Sequence, residues 1–174
     1  MVASLAAPRW VQSFFIRGSS PQYFGLRVPP SVARSWRTGT SYQVVGQAEL
    51  FPVLLARLTW ASFLAGRHLI FFIDNNAARQ ALVKGYSPSL PSCRLLGEAA
   101  IQEAVLESFS WYARVPTASN VADAASRLEY ERLLVCLPGA KWAEPVVPAS
   151  WTAEVEVPGV GAWFRDRQVS QHAF

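Results

Sequence analysis

At 174 residues, with 51% of them hydrophobic and only 16% charged, the chain is long enough for one packed domain and too apolar to be intrinsically disordered. Sixteen basic residues against twelve acidic ones give a net charge of +4. The surplus is uneven: residues 1–48 contain Arg9, Arg17, Arg27, Arg34 and Arg37 and no acid. Fourteen of the sixteen basic residues are arginine, whose planar fork suits phosphate, so a polyanion is a fitting partner, although any one arginine also suits a solvated surface. The two cysteines, Cys93 and Cys136, are far apart and form no CxxC pair. They make neither a zinc site nor a disulfide framework and imply free thiols in a reducing, intracellular setting, cytoplasm or nucleus. The first ten residues are too soon broken by Pro8-Arg9 to form a secretory signal. Arg57, Arg67 and His68 interrupt the apolar run over 50–73, short of the ~20 residues a membrane helix needs, so no membrane association is expected.

In chain order, Trp10–Ile16 and Gln22–Val28 read as two strands of a hairpin separated by Gly18-Ser-Ser-Pro21. Pro29-Pro30 closes the second, and Ser31–Trp36 makes a helical turn or two. A long helix is expected from about Gln47 to Ala65, with Phe51, Leu54, Leu55, Leu58, Ala61, Phe63 and Leu64 on its buried stripe. Glu49 falls in its first turn, where the helix dipole favours an anion. Pro52 calls for a late start or a slight kink. Leu69-Ile-Phe-Phe-Ile73 is an unbroken apolar run, read as a central strand buried on both faces. Asp74 sits at its mouth, Asn75 and Asn76 turn the chain, and a helix over 76–84 stops at Gly85. A loop with Pro88 and Pro91 leads to a helix over about 93–107 whose acids Glu98, Glu103 and Glu107 are placed on a wet face. Phe109–Val115 alternates as a strand, with Phe109, Trp111, Ala113 and Val115 on one side and Ser110, Tyr112 and Arg114 on the other. Asn120 caps a further helix that carries Asp123 in its first turn. Residues 129–174, broken by Pro138-Gly139, Pro145, Pro148 and Pro158-Gly159, read as an extended tail, which divides the chain into a domain over 1–128 (its hairpin part over 1–44) and a tail over 129–174.

This order is α/β with a mixed sheet. Within it Glu49, Asp74 and Asp123 occupy comparable positions, at helix openings or a strand end, where packed helices can bring them to one edge. Carboxylates crowd together only if cations neutralise them or their pKa values rise. An all-oxygen cluster suits Mg²⁺ or Mn²⁺, and paired ions of that kind support phosphodiester hydrolysis. The residues alone therefore point to a metal-dependent nuclease.

Gln47-Ala-Glu49-Leu, Phe72-Ile-Asp74-Asn-Asn-Ala-Ala78 and Arg114-Val-Pro-Thr-Ala-Ser-Asn120-Val-Ala-Asp123-Ala-Ala-Ser-Arg127 together resemble the ribonuclease H-like domain of retroelement (retrotransposon) reverse transcriptases. The likeness covers about 45–128. It implies a ribonuclease H-like mixed sheet flanked by helices and cleavage of the RNA strand of RNA–DNA hybrids by carboxylates and two Mg²⁺ ions. By this match Glu49, Asp74 and Asp123 are catalytic metal ligands, and Asn120 shapes the turn presenting Asp123. Asn75, Arg79, Lys84, Arg114, Asn120 and Arg127 are expected to meet nucleic acid, with a reverse transcriptase domain as a further partner. One feature departs from the family: its first metal ligand is an aspartate on the first strand, and this chain has no acid before Glu49. If Ala3-Ser4 is a relic of that strand's end, Val2 stands in the aspartate's place. Either the chain begins downstream of the first strand or the strand is degenerate, and in both cases hydrolysis is impaired. The family's loop histidine also lacks a counterpart; His68 and His172 read as ordinary histidines. The alternatives are a non-catalytic domain of the same fold that binds nucleic acid or braces a polymerase, and a truncated product without function.

Overall fold

The computed structural model describes residues 9–14, 20–37, 44–126, 129–148 and 151. Strands β1 (Arg9–Phe14) and β2 (Gln22–Arg27) pair antiparallel as the expected hairpin, from Arg9 opposite Arg27 to Phe14 opposite Gln22. Helix α1 (Pro30–Ser35) follows, with proline in its first turn, where a missing N–H costs nothing.

The next helix, α2 (Val45–Thr59), starts earlier than its sequence suggests and runs through Pro52 without interruption. It ends at Trp60, and a separate turn of helix, α3 (Ala61–Leu64), replaces the rest of the single long helix expected there. Trp60 explains the break. Its ring is buried against Phe24 of β2, 5.1 Å between centroids, and its Nε1 donates to Gln22 Oε1 at 2.8 Å. Gly66 then takes φ 66°, a left-handed turn that glycine adopts without steric cost.

Strand β3 (His68–Ile73), helix α4 (Asn76–Lys84), helix α5 (Leu90–Val105) and strand β4 (Phe109–Arg114) form a parallel crossover unit. Its two strands run in register from His68 beside Phe109 to Ile73 beside Arg114. Helix α4 matches its expected bounds: Asn75 Oδ1 accepts from Ala78 N at 3.0 Å, and Gly85 closes it at φ 64°. Helix α5 begins earlier than expected, because Pro91 lies in its first turn rather than in a preceding loop. A 3₁₀ turn (Thr117–Ser119) leads to α6 (Val121–Ser126). Part of the stretch read as an extended tail is structured: α7 (Tyr130–Cys136) packs Leu133 and Tyr130 against Tyr23, and β5 (Lys141–Trp142) pairs parallel with β2.

The fold is therefore mixed α/β, with two small sheets, β1-β2-β5 and β3-β4, and no ladder joins them among the described residues. One core contains Phe24, Phe51, Leu54, Leu55, Trp60, Leu69, Phe71, Ile73, Leu82 and Leu95, so α2, α4 and α5 all cover the same face of β3-β4. The expectation that β3 is buried on both faces is not met. Leu69, Phe71 and Ile73 are buried while Ile70 and Phe72 are exposed, because no described helix lies over the second face. No helix among the described residues is long and apolar enough to cross a membrane.

Arg57 is the fixed point of this packing. Its side chain is 0% exposed, and its Nη2 lies 3.0 Å from Glu103 Oε2, 2.9 Å from Ser110 Oγ and 2.8 Å from Tyr112 Oη. One amino group with two hydrogens serves three acceptors here, while Nε and Nη1 have no hydrogen-bond partner among the described residues. The guanidinium also lies over the Phe71 ring, 5.3 Å from its centroid. Glu103 is thus the counter-ion of a buried charge, not the wet-face acid expected of it. Burial raises the Tyr112 phenol pKa, and the neighbouring Arg57 charge partly opposes the rise. Glu103→Ala is expected to cost about 3 kcal/mol in urea unfolding, because it leaves the guanidinium buried and unpaired.

Candidate metal-binding acid cluster

Three elements supply the acids expected to share a site. Glu49 lies on α2 and is half-buried. Because α2 starts at Val45, Glu49 stands beyond its first turn, and the helix dipole gives no sufficient reason for an acid there. Asp74 follows the last residue of β3, where the backbone leaves the sheet and Asn75 opens α4. Asp123 lies in the first turn of α6. Its N–H donates to the Asn120 carbonyl at 3.0 Å, while Asn120 Oδ1 accepts from Ala122 N at 3.1 Å, so Asn120 caps the helix as expected.

These acids are electrostatic neighbours. The Glu49 carboxyl is pushed up to about 7, first by burial, then by the charge of Asp74, then by that of Asp123. They do not form a closed ligand shell: among the described residues no group of three or more His, Cys, Asp or Glu side chains is gathered tightly enough to hold a metal ion. The donor chemistry nevertheless suits a hard divalent cation, since all three groups offer carboxylate oxygen and the proton-holding Glu49 would ionise beside added positive charge.

The expected nucleic-acid contacts divide. Asn75 is engaged as the α4 cap. Arg79 is half-buried, its Nη1 3.4 Å from the Tyr112 carbonyl and its Nε buried without a hydrogen-bond partner among the described residues, so it packs against β4 and does not stand clear in solvent. Lys84, in the last turn of α4, and Arg114, at the end of β4, are exposed. Arg127 and His172 lie outside the described residues. His68 is exposed, with its ring 5.8 Å from Phe109. The residue that sequence reading passed over is Arg57. Its position three residues after Leu54, on the apolar stripe, was the available signal.

Comparison of the chain with protein-family models, with curated proteins and with solved structures gave no match.

The raised Glu49 pKa fixes the sign of a pH effect. Folding favours protonated Glu49, so its contribution is most favourable below about 4.5, the ordinary value, and is lost as pH rises through about 7. Glu49→Gln is expected to raise the thermal midpoint at pH 8 by an amount equivalent to about 1 kcal/mol, discounted for partial solvent exposure, and to change little at pH 4. Mg²⁺ or Mn²⁺ is expected to raise the wild-type midpoint at pH 8 more than that of the variant, which differential scanning calorimetry would measure.

Proposed function

We propose that the chain is a ribonuclease H-like domain derived from a retroelement reverse transcriptase, whose ancestral reaction is metal-dependent hydrolysis of the RNA strand of an RNA–DNA hybrid. What supports this reading is the perturbed Glu49 carboxyl: acids from α2, the end of β3 and the start of α6, far apart in sequence, act on one another electrostatically. Carboxyl pKa values raised by burial and like charge cluster at functional sites. Glu49, Asp74 and Asp123 would hold Mg²⁺ or Mn²⁺, which when bound supplies activation of water and charge stabilisation at the phosphate.

The chain's own residues have separable tasks. Asn75 and Asn120 fix the backbone on which Asp74 and Asp123 sit, by capping α4 and α6. Glu49, its carboxyl pushed up to about 7, would ionise beside a bound cation. Arg114, paired with Ile73 beside Asp74, and Lys84, in the last turn of α4, are exposed cations that would take phosphate oxygens. A labelled RNA–DNA hybrid with Mg²⁺ or Mn²⁺ tests the reading. Slow cleavage is expected, reduced at least about 100-fold by Asp74→Asn. Cleavage that Asp74→Asn leaves unchanged would remove the proposal.

A second reading, a non-catalytic nucleic-acid-binding or polymerase-bracing domain of the same fold, draws on the arginine-bearing, acid-free composition of residues 1–48. It predicts hybrid binding that weakens steeply with salt, with no cutting under either metal.

A further inference from the structure

Residues 1–48 contain five arginines, no lysine and no acid, and none of the five is among the cations assigned to the acid cluster. In the described part of that stretch Arg27, Arg34 and Arg37 are all exposed. Helix α1 sorts its residues by side. Val32, Ala33 and Trp36 are buried, and the Trp36 ring packs edge-on against Phe51 of α2 at 5.4 Å, which anchors the short helix on the core. Arg34 and Arg37 stand three residues apart on the exposed side, where the Arg37 N–H donates to the Arg34 carbonyl at 3.1 Å. Residues so spaced on a helical turn are neighbours. Arg27 ends β2 on the side away from Phe24 and Leu26, which pack in the core, and its ladder partner is Arg9.

We infer that this arginine ridge binds the phosphate backbone of a nucleic-acid duplex, as a grip separate from the acid cluster. Like charges one helical turn apart are mildly unfavourable until an anion lies against them, and arginine's planar fork takes two phosphate oxygens at once. An anionic membrane is the less fitting partner. A helix lying in a membrane surface needs an exposed apolar side, and the apolar side of α1 is buried in the core. The ridge also stands away from the acids: Phe51, which holds Trp36, is two residues from Glu49 and so about 200° round the axis of α2. The inference rests on the nucleic-acid partner common to the catalytic and the non-catalytic reading, and not on hydrolysis.

Fluorescence anisotropy of a labelled RNA–DNA hybrid, titrated with the full chain between about 50 and 200 mM salt without divalent metal, tests it. Arg27→Ala and Arg34→Ala are each expected to flatten the slope of log affinity against log salt by about 1. Each change shrinks the loss of affinity across that salt range about fourfold, with the circular dichroism spectrum unchanged. Arg67→Ala, at an exposed site before β3, is expected to bind as the unaltered chain does. An equal loss on Arg67→Ala reduces the effect to net charge and overturns the inference. Ridge variants that bind normally while Arg114→Ala weakens binding overturn it as well, and leave the nucleic-acid partner standing. A chain that binds no hybrid at either salt overturns both, and retention on phosphatidylserine vesicles in its place assigns the ridge to a membrane.

Discussion

A guanidinium shut away from water constrains this fold more than any other group. Arg57 lies in the same helix as Glu49, and its partners are Glu103 on α5 and Ser110 and Tyr112 on β4. A buried charge tolerates little displacement, because moving any partner away exposes the full desolvation penalty. The contact therefore fixes where α2 sits on the sheet, and with it where Glu49 stands relative to the end of β3. Further ties hold the same helix at both ends: Gln47 Nε2 donates to Ser89 Oγ at 2.8 Å, and Val146 N donates to Thr59 Oγ1 at 3.0 Å.

With α2 held in this way, an acid on it meets Asp74 and Asp123 without any of the three being adjacent in sequence. The cost is visible in Glu49, whose carboxyl holds its proton to about pH 7. Caps at Asn75 and Asn120 set the local backbone at the other two positions. The cluster thus combines rigid placement with crowded like charge, the arrangement on which the proposed cation chemistry rests.

The two faces of β3-β4 have unequal fates for a related reason. Helices α2, α4 and α5 all pack on one side, and α6 and α7 lie against the hairpin sheet instead, where Tyr23 contacts Tyr130 and Leu133. The apolar side chains of Ile70, Phe72, Phe109 and Trp111 on the remaining face stay exposed.

Local chemistry in the sequence determined much of this protein. The hairpin, the Asn75 and Asn120 caps, the Gly85 stop, the apolar strand ending at Asp74 and the α/β order depend on turn residues, periodicity and backbone sterics acting within a few residues. Tertiary structure decided what those rules cannot reach. Trp60 breaks the long helix because its ring is buried against Phe24, and Glu103 faces Arg57 rather than water because a buried charge outweighs the helix's own amphipathic pattern. Residues 130–142 take helix and strand because α7 and β5 find Tyr23 and β2 to pack and pair with. Whether β3 is covered on one face or two was also beyond its sequence, since burial belongs to the neighbours that a strand acquires and not to the strand.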